Sequence, residues 1–209
     1  MKFLSFIFIL VTFCSSALAD TLSVEYSSFY SHLKKIDNEE TPALQFAFGF
    51  KNVRNGGLCQ IQSANIVTQK VTLPVTITPE YRFLLPTEKA LKQAKAVVEL
   101  ELGENSNQCD MSVQLETKPS YLQTQYTHQE LQDLYQQYAI FFDDMGSFLS
   151  FLMPPVSGLQ FYFDNIDRDS IPDALYVDEH HVVVSEDWLE QGAQVSFSEA
   201  PYRITAITK

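Results

Sequence analysis

Three short segments carry residue types that do chemistry at spacings close enough to matter. Asn165-Ile166-Asp167-Arg168-Asp169-Ser170-Ile171-Pro172-Asp173 sets oxygen ligands at alternating positions, as calcium loops do. Ser170 stands where such loops turn on Gly, and Tyr176 where an acidic residue completes the coordination. Asp167, Asp169 and Asp173 are therefore read as an acidic surface turn, with calcium binding as the rival. His180-His181, between Asp178-Glu179 and a β-branched run, offers imidazole ligands. Adjacent strand side chains point to opposite faces, so one exposed and one half-buried histidine is the expectation. Glu186, Asp187 and Glu190 beside Trp188 bring carboxylates to an aromatic ring, the parts a polymer hydrolase uses as acid and base.

Two further residues, Cys59 and Cys109, are expected to form a disulfide. No CxxC spacing and no neighbouring activating His favours a metal site or a catalytic thiol. The chain has no GxSxG elbow, HExxH pair, phosphate loop or GxGxxG turn. Triads and carboxylate pairs assembled from distant positions stay open, so the chain is read as a non-enzymatic binding protein first and a hydrolase second.

The address comes from the first residues. Lys2, the apolar run Phe3 to Phe13 and the small residues Ala17-Leu18-Ala19 compose a secretory signal cleaved between Ala19 and Asp20. The run is well short of the roughly 20 residues that span a bilayer, and no second apolar run is long enough. Phe13 is too bulky before Cys14 for lipid attachment. A soluble periplasmic chain of 190 residues (209 − 19) is expected. An oxidising compartment suits the disulfide.

Loss of Lys2 leaves 13 basic residues (14 − 1) against 26 acidic ones, a formal charge of −13. That disfavours nucleic acid, which needs clustered Lys and Arg, and it repels anionic lipid. An envelope protein or glycan, held by a β edge or an aromatic face, is the expected partner.

These residues sit on elements of alternating type. Tyr26, Phe29, Tyr30, Leu33 and Ile36 predict a short amphipathic helix ending in Lys34-Lys35. Five strands follow: Leu44 to Phe50, Leu58 to Thr68, Val71 to Ile77, Val97 to Leu102 and Met111 to Leu115. Asn55-Gly56-Gly57 is placed as a hairpin turn between the first two, and Pro86-Thr87 opens a short capped helix over Glu88 to Lys95. Thr127-His128-Gln129-Glu130 is a capping box. It opens a long helix with Leu131, Leu134, Tyr138, Phe141, Met145, Phe148 and Leu152 on its core face, ended by Pro154-Pro155. Strands return at Leu159 to Phe163, Tyr176-Val177, His181 to Val184, Val195 to Phe197 and Tyr202 to Ile207, with a helical turn capped by Ser185 and closed by Gly192.

The expected fold is mainly β, with two small antiparallel units packed around one long helix. Residues 20–120 are a disulfide-stapled, β-sandwich-like domain with the N-terminal helix, 121–157 the long helix and its Pro-terminated connector, and 158–209 a small C-terminal β unit. Trp188, ten tyrosines and the 12 phenylalanines (16 − 4) outside the signal are expected mostly in the core, with an aromatic ligand platform as the alternative.

Several short pieces resemble one family: Tyr26-Ser27-Ser28-Phe29-Tyr30 with Leu33-Lys34-Lys35, Gly57-Leu58-Cys59-Gln60-Ile61, Leu73-Pro74-Val75 and Gln108-Cys109-Asp110-Met111-Ser112-Val113. Gly146 to Phe148 and Pro155-Val156-Ser157-Gly158 extend them. Together they resemble an uncharacterised domain-of-unknown-function family of exported gammaproteobacterial proteins. The resemblance implies a shared fold and export, and it brings no activity or site residues.

Overall fold

The computed structural model describes residues 20–146, 155–192 and 194–208. The expected signal segment and the helix positions Phe148, Leu149, Phe151, Leu152 and Pro154 lie outside them. Among the described residues the chain is mainly β, with several antiparallel sheets and four helices.

The chain enters on a strand that the sequence reading passed over, β1 (Asp20–Glu25), whose Leu22 and Val24 alternate with polar residues. Helix α1 (Tyr26–Ile36) follows directly and buries Tyr26, Phe29, Leu33 and Ile36, with Lys34 and Lys35 in its last turn. Their three- and four-residue spacing puts all four on one face, and basic residues favour the negative end of the helix dipole.

β2 (Leu44–Asn52) then turns at Asn55-Gly56-Gly57. Gly56 takes the left-handed φ of +74° that the turn needs, and its N–H donates to the Asn52 carbonyl at 2.8 Å. The expected hairpin does not continue past the turn. Beyond the Lys51–Leu58 bridge, β2 pairs with β6 (Cys109–Thr117), while β3 (Ile61–Val67) joins another sheet. The order of that four-stranded sheet is β1-β5-β3-β4, with β4 at Thr72–Pro74 and β5 at Val97–Leu102. The short helix α2 (Lys89–Gln93) precedes β5 with no side-chain cap. The N–H of its N-cap, Glu88, instead donates to the Tyr26 hydroxyl, which itself donates to the Pro86 carbonyl.

Cys59 and Cys109 are joined by a disulfide with Cα atoms 6.2 Å apart. Cys109 ends the β2–β6 ladder opposite Asn52, and Cys59 N–H donates to the Phe50 carbonyl, so the bond clamps one end of that ladder.

After the two-residue strand β7 (Gln125–Tyr126), the capping box is realised. Both the N–H and the hydroxyl of Thr127 donate to the Glu130 carboxylate, and the Glu130 N–H returns to Thr127 Oγ1. It opens α3 (His128–Gly146). Leu131, Leu134, Tyr138 and Phe141 are buried as the stripe predicts, but Met145 is 43 % exposed. Phe141 stacks edge-on against Phe46 of β2 at 5.6 Å, and the Tyr135 hydroxyl lies 3.0 Å from the Val156 carbonyl of β8, so the helix packs on both sides.

The C-terminal sheet has the order β12-β8-β10-β9, from β8 (Val156–Tyr162), β9 (Tyr176–Val177), β10 (His181–Ser185) and β12 (Arg203–Thr208). Helix α4 (Glu186–Leu189) is capped as expected by Ser185, whose hydroxyl accepts from Trp188 N–H. β11 (Val195–Ser196) pairs with β7. One aromatic-rich core joins both halves: Phe29, Phe46, Phe48, Phe83 and Phe141 on one side, Tyr126, Phe161 and Phe197 on the other. Each such ring contributes on the order of 1.5–3 kcal/mol by leaving water.

Candidate functional site

Alternation along the C-terminal strands puts Phe161, Val182 and Ile204 in the core and leaves the other face polar. Register then aligns side chains across three strands. His181 lies opposite Tyr162, and Tyr162 opposite Arg203, while Tyr176 opposes Val183 further along the same face. The contacts follow that row. The His181 ring meets Tyr162 edge-on at 4.6 Å, and the Arg203 guanidinium sits over the Tyr162 ring at 4.2 Å. His181 Nδ1 is 2.9 Å from Asp178, whose carboxyl is held below its usual range by that bond and by the backbone N–H groups of His180 and His181.

A second arginine approaches from the other half of the molecule. The turn Thr78–Arg82 closes through Tyr81 N–H to the Thr78 carbonyl at 3.0 Å and Thr78 N–H to the Arg82 carbonyl at 2.7 Å. Phe83 pins it to β2 by a pair of bonds with Phe48. Tyr81 takes φ +57°, a conformation that costs a bulky residue on the order of 1–3 kcal/mol and that gathers at binding sites. Gly49 makes room for the turn: a side chain there would start 3.2 Å from the Tyr81 carbonyl and 3.5 Å from Arg82 Cγ.

Arg82, Arg203 and Glu116 of β6 influence one another electrostatically. Burial holds the Arg82 guanidinium below its usual range and Arg203 adds to that, while Glu116, Glu80 and Tyr162 oppose it. Burial also raises the Glu116 carboxyl, against the bond from Gln45 Nε2 at 3.0 Å and the attraction of Arg203 and Arg82. Arg82 Nε and Nη1 and Arg203 Nε are shielded from solvent and have no hydrogen-bond partner among the described residues. Within the same residues the His181–Asp178 contact is the one ion pair closer than 4.0 Å, so no carboxylate directly neutralises either guanidinium. Tyr81 and Tyr202, the chain neighbours of the two arginines, are each 37 % exposed, and the Tyr202 ring lies 6.1 Å from Tyr162.

Of the residues singled out in the sequence, His181 lies on this row and the others fall elsewhere. Asp167, Asp169 and Asp173 are exposed, and the Asp167 carboxylate accepts from the Asp169 N–H at the head of a 3₁₀ turn. Of the two histidines, His180 is exposed in the bend before β10 and His181, the first residue of β10, is half-buried. Trp188 is 5 % exposed and belongs to the core, so it offers no platform beside Glu186, Asp187 and Glu190. Glu186 instead accepts from the Tyr135 hydroxyl at 2.6 Å. Among the described residues the one group of three metal-ligand side chains within 4.8 Å is Cys59, Glu104 and Cys109. Its sulfurs are bonded to each other, and Glu104 accepts from Gln60 N–H, so it has no thiolate to give a metal.

Sequence reasoning missed Arg82, Glu116 and Arg203. The left-handed Tyr81 carries no glycine to announce it, and the arginines are 121 positions apart (203 − 82).

A protein-family model described as a protein of unknown function (DUF2987) matches residues 18–163. No curated protein and no solved structure matches the chain. No described helix is long and apolar enough to cross a membrane.

Proposed function

The chain belongs to this family of proteins of unknown function, and on that premise we propose that it is an exported, non-enzymatic binding module of the cell envelope, acting in the periplasm. Its ligand face runs from His181 through Tyr162 and Arg203 to Arg82. The observation that carries this is the set of shielded N–H groups on Arg82 and Arg203, which find no acceptor among the described residues. A desolvated donor left unpaired costs about 1–3 kcal/mol, more when charged, and a ligand that satisfies it recovers that energy on binding. The strained Tyr81 turn that delivers Arg82 is of the kind kept for ligand contact.

Export is supported by the disulfide, which persists in oxidising compartments, and by the charge and hydropathy of residues 1–19. The hydrolase alternative is weakened by the burial of Trp188 and by the hydrogen bond that engages Glu186.

The test is in-cell photocrosslinking. A photoreactive residue at Tyr202, with a second at Lys70 of the β3–β4 turn as control, is irradiated in the native compartment, and captured species are identified by mass spectrometry. Capture from position 202 that disappears in Arg82→Gln or Arg203→Gln supports the binding face. Equal capture from both positions, or none from 202, removes it. Sequencing the N-terminus of the periplasmic protein checks export, with Asp20 as the expected first residue.

A further inference from the structure

We propose that the cavity between α3 and the chain leading into β7 binds one neutral sugar ring, held through two adjacent hydroxyls by Asp133 and Gln137. It shares no residue with the face proposed above and is a second site.

The cavity is the first argument. It measures about 300 Å³, with Tyr121 and Gln123 on one side and Glu130, Asp133, Leu134 and Gln137 on the other. That volume lies at the lower end of the roughly 300–1,000 Å³ of small-molecule sites, which suits a single ring. Its helix side follows from spacing. Positions 130, 133, 134 and 137 recur at three and four residues and share one face of α3.

The second argument is order. The buried Tyr126 hydroxyl accepts from Gln123 N–H at 2.7 Å and donates to the Tyr121 carbonyl at 3.1 Å, and Tyr121 N–H donates to the Lys118 carbonyl at 2.9 Å. On the helix, Gln137 Oε1 accepts from Ala43 N–H at 2.7 Å, which fixes the two ends of that amide. Asp133 Oδ1 accepts from Gln129 Nε2 at 2.7 Å. Both walls are thus set before a ligand arrives, and a preorganised site loses little entropy on binding.

The third is what those bonds leave over. The Gln137 Nε2 N–H groups and Asp133 Oδ2 have no partner among the described residues. They stand one helical turn apart, a donor beside an acceptor, and a vicinal diol meets both because each hydroxyl donates and accepts. An ammonium would satisfy the carboxylate and oppose the Gln137 donors, and a carboxylate or phosphate would meet Glu130 and Asp133 with like charge. Buried Leu134 and the part-exposed Tyr121 ring supply apolar surface for the C–H face of a pyranose.

The experiment is a chemical-shift titration of the isotope-labelled, disulfide-intact protein with glucose, galactose, mannose and N-acetylglucosamine, and with putrescine and glucuronate as cationic and anionic controls. At least one neutral sugar is expected to shift the amide signals of Tyr121, Gln123 and Asp133 saturably, and to bind more tightly than either control. Its affinity is expected to fall at least about tenfold in Asp133→Ala and in Gln137→Glu, the loss of one hydrogen bond. Gln137→Glu keeps an oxygen for Ala43 N–H and replaces the N–H groups by a second oxygen. Asp133 is exposed, so Asp133→Ala supplies the readout if Gln137→Glu does not fold. The proposal is overturned if none of the four sugars binds, if a control binds as tightly as the best sugar, if the shifts fall away from this cavity, or if either folded variant binds as wild type does.

Discussion

The Tyr138 hydroxyl, midway along α3, donates to the Ile204 carbonyl of β12 at 2.7 Å and lies 3.1 Å from Thr117 Oγ1 of β6. One fully buried phenol thus joins the last strand of the C-terminal sheet to the β2–β6 ladder. Burial raises its pKa above the ordinary tyrosine value, so the phenol keeps its proton where an exposed tyrosine would lose it. Tyr138→Phe is expected to destabilise by about 1–3 kcal/mol, because the Ile204 carbonyl and the Thr117 hydroxyl lose a partner with no route to water. Urea unfolding followed by circular dichroism measures it. A loss below about 0.5 kcal/mol would mean the junction relaxes around the missing hydroxyl.

Gly158 tests the closeness of β8 and β10. A Cβ there would lie 2.5 Å from the Val184 carbonyl and 3.0 Å from Ser185 Cα, both backbone atoms that cannot swing aside. Gly158→Ala is expected to lower stability by about 1–3 kcal/mol, as overpacking does. Thermal melting of the variant against wild type decides it, and an unchanged midpoint would show that the strands part at little cost.

Glu116 gives a pH dependence with a definite sign. Its carboxyl is raised above the ordinary value of 4.5, so near that pH the folded state holds a proton the unfolded chain releases. Its contribution is complete below the ordinary value and is lost as pH rises through the raised one. Glu116→Gln abolishes that dependence, so the variant should gain on wild type as pH climbs from 4 toward neutrality. Parallel stability curves would show that the two arginines already hold the carboxylate ionised.

Reducing the disulfide removes a closure between positions 50 residues apart. The chain-entropy estimate for such a loop is about 4 kcal/mol, and the Cys59→Ala, Cys109→Ala double variant should show a loss of that order in guanidinium titration. A loss under about 1 kcal/mol would indicate that the reduced chain keeps the same restriction in its unfolded ensemble.

What the sequence made legible was local. The stripe of α1, the capping box of α3, the Ser185 cap and the bounds of β5 all follow from patterns that complete themselves within one or two turns or one pleat. Partners were not legible. Period-two alternation says which side chains share a face, but nothing in Leu44 to Phe50 says that its neighbour is β6, on the far side of β3, β4 and β5. The placing of Arg82 depends on that pairing, since Phe83 hangs its turn on β2, and β6, which carries Glu116, lies beside β2. The core placement expected for Trp188 has a local reason: a single helical turn has one inward face, and Trp188 and Leu189 fill it.

The placement of the disulfide has a kinetic side. β2 and β6 cannot pair until the intervening residues 53–108 have closed a long loop, and such non-local pairing sets slow folding. The bond sits at the closing end of that ladder, so an oxidised chain begins with the encounter already made. It should refold faster than its reduced counterpart as well as more stably, and the gain in rate shows how early the ladder forms.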